Sequence, residues 1–74
     1  ARKTKAEAAL TRHRIVECAR IVFSRDGVTN TSLEHVAKEA GVTRGAVYWH
    51  FRNKADLYIT VRQETGILLR FADF

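Results

Sequence analysis

The side chains best suited to bind an anion lie in one short stretch of the sequence, from Gly41 to Lys54. This stretch contains no Asp or Glu, and it holds a group of cationic and aromatic residues: Arg44, Tyr48, Trp49, His50, Arg52 and Lys54. Guanidinium and ammonium groups bind phosphate oxygens, whereas carboxylates are repelled by them. The composition of the stretch therefore predicts contact with a polyanion.

The charge of the whole chain favours the same kind of partner. The 74 residues carry 13 Lys and Arg against 8 Asp and Glu, which gives a net charge of +5 at pH 7. The excess lies in two blocks, since residues 1–14 hold five basic residues and one acidic, and residues 38–54 hold four and one. Such blocks favour nucleic acid or an acidic membrane surface as partner.

Several other classes of protein are disfavoured. Cys18 is the single cysteine, so no internal disulfide is expected, and no apolar run approaches the roughly 20 residues of a membrane span. The basic start, residues 2–5, is not followed by the apolar run of a signal peptide. His13 and His35 lack partners at metal-ligand spacing, and no nucleophile–base set or phosphate-binding glycine loop is present. We expect neither an enzyme nor a bound metal or cofactor.

The elements that position the anion-binding stretch are predicted to be four helices, near residues 8–26, 32–40, 43–50 and 54–70, in an all-α domain. In the first, the apolar residues recur at the i, i+3, i+4, i+7 spacing of an amphipathic helix: Ile15, Cys18, Ala19, Val22 and Phe23. On this stripe Cys18 is expected to be a buried, unreactive thiol. Gly27 stands where a C-terminal glycine would end the helix.

The other three helices are predicted from their capping residues. Thr31 with Glu34 three residues later has the pattern of a capping box, and Gly41 ends that second helix. Thr43 is expected to cap the third helix, and Asn53 the fourth.

Two short helices joined by a turn at Gly41 have the arrangement of a helix-turn-helix, for which a plain helical hairpin is the structural alternative. With Val47 facing the core, Gly45 and Trp49 lie about 160° away on the outward face, on which Ala46 also lies. Glycine within a helix costs roughly 0.5–1 kcal/mol relative to alanine. Nothing in the core requires it there, so Gly45 indicates close approach by another molecule.

The sequence GVTRGAVYWHF at 41–51, followed by Asn53 and Lys54, resembles the DNA-binding helix of the TetR family of bacterial transcriptional repressors. The resemblance continues through residues 31–33 and 36–37 and through Phe23 and Gly27, and it covers about residues 1–65. The basic start is similar to the branch of that family that represses multidrug efflux pump genes. A homeodomain-like helix-turn-helix core followed by a linker helix is the fold that this implies.

The resemblance also implies a set of contacts to double-stranded DNA. Arg44 and Gly45 would lie nearest the base edges in the major groove, with Ala46 on the same face. Trp49 would contact either the backbone or a thymine methyl. The remaining implied contacts are to phosphates, from residues at helix N-termini or on the third helix: Thr31 or Ser32, Thr43, Tyr48, His50 and Lys54.

Members of the family continue into a larger helical domain that forms the dimer and binds the inducer. We therefore expect residues 1–55 to be the DNA-binding domain and residues 56–74 to begin the helix that connects it to a C-terminal domain absent here. The apolar residues of 66–74 suit burial against such a domain, which favours a part of a longer chain. By resemblance the whole protein would be a cytoplasmic homodimer that binds a near-palindromic operator and releases it on binding a small lipophilic inducer.

A protein-interaction module is the main alternative function, in which Tyr48, Trp49 and the apolar tail bind another helical protein. An amphipathic element at a membrane surface is less consistent with the sequence, because the basic residues do not segregate to one helix face. The salt dependence of binding distinguishes a DNA partner from a protein partner, because phosphate contacts weaken steeply as salt rises and an apolar interface does not.

Overall fold

A computed structural model of the chain describes residues 4–72, with side chains described as far as residue 64. All secondary structure in that range is helical, which confirms the predicted all-α fold, and it comprises α1 (Lys5–Asp26), α2 (Leu33–Ala40), α3 (Arg44–His50) and α4 (Lys54–Ala72). Expectations about the basic start at residues 2 and 3 and about the side chains of the apolar tail lie outside the described residues and stay predictions.

Helix α1 begins three residues earlier than the predicted start at residue 8. Its N-cap is Thr4, whose Oγ1 accepts a hydrogen bond from the backbone N–H of Glu7 at 3.1 Å. Thr4 and Glu7 have the Thr-x-x-Glu spacing of a capping box, and Glu7 adds a negative charge in the first turn. The early start therefore had a signal in the sequence, although no apolar stripe marks this turn.

The predicted N-cap of α2 was wrong by one residue. Ser32 caps the helix, because its Oγ accepts from the backbone N–H of His35 at 3.0 Å. Thr31 is instead buried, with 2% of its surface exposed, and its hydroxyl donates to the carbonyl oxygen of Gly27 at 2.8 Å. That bond stabilises the loop between α1 and α2.

The turns on either side of α3 follow the predicted pattern. Gly41 has φ +70° and ψ +31°, the left-handed conformation that glycine adopts at least cost, and its N–H donates to the carbonyl of Lys38 at 3.2 Å. Thr43 caps α3 through a bond from the N–H of Ala46 at 3.0 Å. Asn53 Oδ1 accepts from the N–H of Asp56 at 2.8 Å at the start of α4.

The core lies where α1 packs against the other three helices and α2 packs against α3. The predicted stripe on α1 is buried except at Cys18, which is half-buried, and Val16 is buried beside it. The Cys18 thiol donates to the carbonyl of Val36 at 3.7 Å, and burial, reinforced by the charge of Glu39, raises its pKa. The other buried apolar residues are Leu33, Val36, Ala37, Ala40, Val47, Phe51, Leu57 and Val61.

Ion pairs at the surface also join the helices. Arg25, at the end of α1, lies 2.9 Å from Asp26 and 3.4 Å from Glu39 of α2. Its hydrogen bond holds the pKa of the Asp26 carboxyl below the ordinary value. Arg12 of α1 lies 3.6 Å from Glu64 of α4, and its guanidinium lies 5.5 Å from the centroid of the Phe51 ring. These contacts help to fix the helices that support α3.

Candidate nucleic-acid interface

Helix α3 is anchored on one side and exposed on the other. Val47 is completely buried, and Phe51, which ends the helix, is 3% exposed. On the outward side Trp49 is 75% exposed and Tyr48 is 42% exposed, with Gly45 also at the surface. This is the orientation that the helical period predicts, so the aromatic side chains are available to a partner.

Arg44 lies in the first turn of α3 with two neighbours. Its Nε is 3.6 Å from Oε1 of Glu34 on α2, and its guanidinium carbon is 5.4 Å from the centroid of the Tyr48 ring. No motif in the sequence pointed to Glu34, which lies ten positions away in the neighbouring helix, outside the acid-free stretch. Its carboxylate therefore accompanies the arginine that we expect to contact a base.

A depression of about 400 Å³ lies between α3 and the start of α1. Its lining joins one residue of α1 to five predicted contact residues: Ala8, Thr43, Gly45, Ala46, Trp49 and His50. At Gly45 an added Cβ would meet only Thr43 Oγ1, at 3.9 Å, which is ordinary contact. Within the described structure, then, no neighbour requires glycine at this position.

A second depression, of about 350 Å³, lies where the N-termini of α2 and α4 approach Tyr48. It brings Ser32, Tyr48 and Lys54 together, three residues that are separated in the sequence. Helix N-termini carry partial positive charge and free N–H donors, so their approach beside an ammonium group suits a phosphate. The lining also includes three polar residues that were not predicted to contact a partner, Thr29, Asn30 and Asn53.

Two predicted contacts have a different setting from the one expected. Thr31 belongs to the lining of the second depression but is buried, and its hydroxyl is already bonded to Gly27, so Ser32 is the better of the two alternatives. His50 is half-buried and packs edge-to-face against Trp49, with ring centroids 4.7 Å apart. It therefore supports the exposed indole as well as lining the first depression.

Other kinds of site have little support in the residues described. Between residues 4 and 64 no group of three or more His, Cys, Asp and Glu side chains is arranged to hold a metal ion. Among the described residues, none of the helices is both long and apolar enough to cross a bilayer.

The chain is similar in sequence to known bacterial transcriptional regulators. The family described as "Bacterial regulatory proteins, tetR family" matches residues 15–61. The HTH-type transcriptional regulator AcrR of Shigella flexneri is 59% identical over 58 residues, which are 78% of this chain and 27% of that protein. The HTH-type transcriptional regulator TtgR of Pseudomonas putida is 55% identical over 56 residues, 76% of this chain and 27% of TtgR.

A solved structure shows the same fold. NalD, the secondary repressor of the MexAB-OprM multidrug efflux pump in Pseudomonas aeruginosa, superposes with a TM-score of 0.75 at 49% identity, over 77% of this chain and 29% of NalD. The chain thus spans about a quarter of the length of these relatives. The relatives are transcriptional regulators rather than enzymes. Since the family match covers more than half of its residues, this chain belongs to the tetR family of bacterial regulatory proteins.

Proposed function

We propose that this chain is the DNA-binding part of a transcriptional repressor and that it binds double-stranded DNA through α3. The observation that carries the proposal is the outward face of α3, where Gly45 and Trp49 are exposed beside the cluster of Ser32, Tyr48 and Lys54. A helix with an exposed glycine and no acidic residue suits insertion into the major groove, which admits one α-helix.

Phosphate contacts supply the affinity and fix the orientation of the helix. Ser32 and Lys54 lie at the N-termini of α2 and α4, and the Tyr48 hydroxyl is a further donor from α3. One phosphate group in the second depression would meet all three. Thr43, the N-cap of α3, would contact a second phosphate.

Base contacts supply the specificity. Arg44 lies in the first turn of α3, where a recognition helix approaches base edges, and a bidentate contact from Arg to guanine is worth about 1–3 kcal/mol of discrimination. Gly45 allows the backbone to come close to the bases. Trp49 offers an apolar surface to a thymine methyl or a deoxyribose.

The proposal for the whole protein follows from its relatives. AcrR, TtgR and NalD are regulators, and NalD is described as a repressor of a multidrug efflux pump. We infer that the full protein is a cytoplasmic homodimer that represses an efflux operon and is released by a small lipophilic inducer. In this proposal residues 1–55 bind DNA, and residues 56–74 begin the connection to the domain that forms the dimer.

Selection of duplexes from a random library with the purified chain tests the DNA proposal. We expect a recurrent sequence element, with a guanine whose replacement weakens binding about fivefold or more, as loss of one bidentate contact predicts. Recovery of no enriched sequence, together with no retention of duplex at low salt, would contradict it.

A protein-interaction surface is the second candidate, favoured by the 75% exposure of Trp49. Exposed tryptophan is typical of interface centres. Such an interface would keep its affinity between low and high salt, whereas the DNA complex would lose most of it.

A further inference from the structure

Arg44 has a charged neighbour and an aromatic neighbour in the free domain. Glu34 Oε1 lies 3.6 Å from its Nε, and the ring of Tyr48 lies under its guanidinium, with 5.4 Å from Cζ to the ring centroid. The two side chains of the ion pair are 66% and 62% exposed, so the pair faces solvent on the surface proposed for DNA.

The atom that Glu34 approaches decides which donors stay free. An arginine has five N–H donors in a planar fork, one on Nε and two on each terminal nitrogen. With the carboxylate at the Nε edge, the two terminal nitrogens remain for a partner. Guanine presents O6 and N7 together in the major groove, and this pair of acceptors matches a fork of two N–H groups.

We propose that Glu34 is a specificity-determining residue that positions Arg44, so that the terminal nitrogens of the guanidinium meet a guanine. This inference rests on the proposed function. Tyr48 limits movement of the guanidinium out of its plane, and Glu34 limits rotation within it. Fixing a long side chain before binding lowers the entropy cost of the contact it makes.

Glu34 has a second effect, which acts on every DNA sequence. It adds a carboxylate beside α3, whose own residues include no acid. That charge repels the phosphates of DNA of any sequence, whereas the guanine contact forms only at the matching base pair. Glu34 therefore lowers the affinity for DNA of arbitrary sequence and increases the preference for guanine over the other bases at the position that Arg44 contacts.

Two duplexes and the Glu34→Gln variant of the full chain test the inference. The first duplex carries the element selected by the wild-type chain, and it is compared with a series of duplexes in which each guanine is replaced in turn. The second duplex has mixed sequence. We expect Glu34→Gln to bind the mixed duplex about two- to fivefold more tightly, the scale of one exposed charge pair. The preference for one guanine should fall about three- to tenfold, with the other positions unchanged.

The Arg44→Ala background shows whether Glu34 acts through Arg44. In a double-mutant cycle, Glu34→Gln should change discrimination at that guanine only while Arg44 is present. A purely structural role for Glu34 would not produce this dependence on a single base pair. Circular dichroism and thermal unfolding of each variant confirm that the helices are retained.

Two further variants separate charge from contact. Glu34→Asp keeps the charge in the first turn of α2 but is too short to maintain the pair, so discrimination should fall while affinity for the mixed duplex stays unchanged. Glu17→Gln removes the same charge from α1, where Glu17 pairs with Arg20 at 3.1 Å, and should leave discrimination unchanged.

The inference would be overturned if Glu34→Gln kept the full preference for that guanine, or if the preference fell equally in the presence and absence of Arg44. Either result would leave the proposed function standing. If the folded wild-type chain binds neither duplex, the proposed function itself fails, and the inference with it.

Discussion

Replacing Gly45 with alanine should stabilise the free domain and weaken its DNA complex. Gly45 lies within α3, and an added Cβ would have one neighbour, Thr43 Oγ1, at an ordinary 3.9 Å. Alanine is better than glycine in a helix by roughly 0.5–1 kcal/mol, and a first-turn position should gain about 0.5 kcal/mol. For a domain of this size that raises the melting temperature by about 2–4 °C.

The same methyl group should interfere with close approach of DNA to the helix. An extra methyl in a packed contact costs about 1–3 kcal/mol, so affinity for the selected duplex should fall about fivefold or more. Thermal unfolding and fluorescence anisotropy measure the two effects. Gly41→Ala is the control, because its φ of +70° is strained for alanine and should lower stability by about 1 kcal/mol. Unchanged DNA affinity in a stabilised Gly45→Ala variant would refute the reasoning.

Three other substitutions test individual contacts. Thr31→Val should lower the free energy of unfolding by about 1–2 kcal/mol, because it leaves the Gly27 carbonyl without its donor, while the salt dependence of DNA binding stays the same. An unchanged stability with weaker DNA binding would instead make Thr31 a phosphate contact. Lys54→Gln should weaken all duplexes alike and reduce the slope of log affinity against log salt by about 0.9, whereas Lys38→Gln, outside both depressions, should not. Because Arg25 lowers the pKa of Asp26 in the folded state, the stability from that carboxylate is present above the unfolded value of about 4 and is lost as pH falls through the lower folded value. Unfolding measured from pH 2 to 7 should therefore show a smaller acid-induced loss in Asp26→Asn than in wild type, and equal losses would contradict this role.

Most of the fold follows from local signals in the sequence. The two glycines with positive φ, Gly27 and Gly41, mark the ends of α1 and α2 as predicted. The period of apolar residues identifies Val47 as the buried anchor of α3, and thereby the exposure of Trp49. Such signals work because each depends on neighbouring residues alone.

The sequence did not predict the correct N-cap where two residues could both serve, nor the burial of a residue that depends on tertiary packing. Thr31 and Ser32 are both good N-caps, and the choice depended on the carbonyl of Gly27, which draws the Thr31 hydroxyl into the core. Val16 lies outside the simple stripe on α1, but it is buried because three helices pack around α1.

The candidate site could likewise be predicted only in part, because some of its contacts depend on how the helices pack. The contacts proposed on α3 are those that the resemblance to the family implies, and the helical period adds only that Gly45 and Trp49 face outward. The cluster of Ser32, Tyr48 and Lys54 depends on how α2, α3 and α4 converge, which spacing along the chain does not reveal. The pairing of Glu34 with Arg44 is likewise a contact between helices, and no periodicity in either one predicts it.

The salt dependence of binding to a mixed-sequence duplex tests the central claim most directly. If α3 and the neighbouring N-termini contact DNA phosphates, log affinity should fall linearly with log salt with a slope of about −2 or steeper, the value for two or more neutralised phosphates. Weak binding with a slope near zero would contradict the account, because it would show that the exposed aromatic face of α3 contacts its partner through apolar surface.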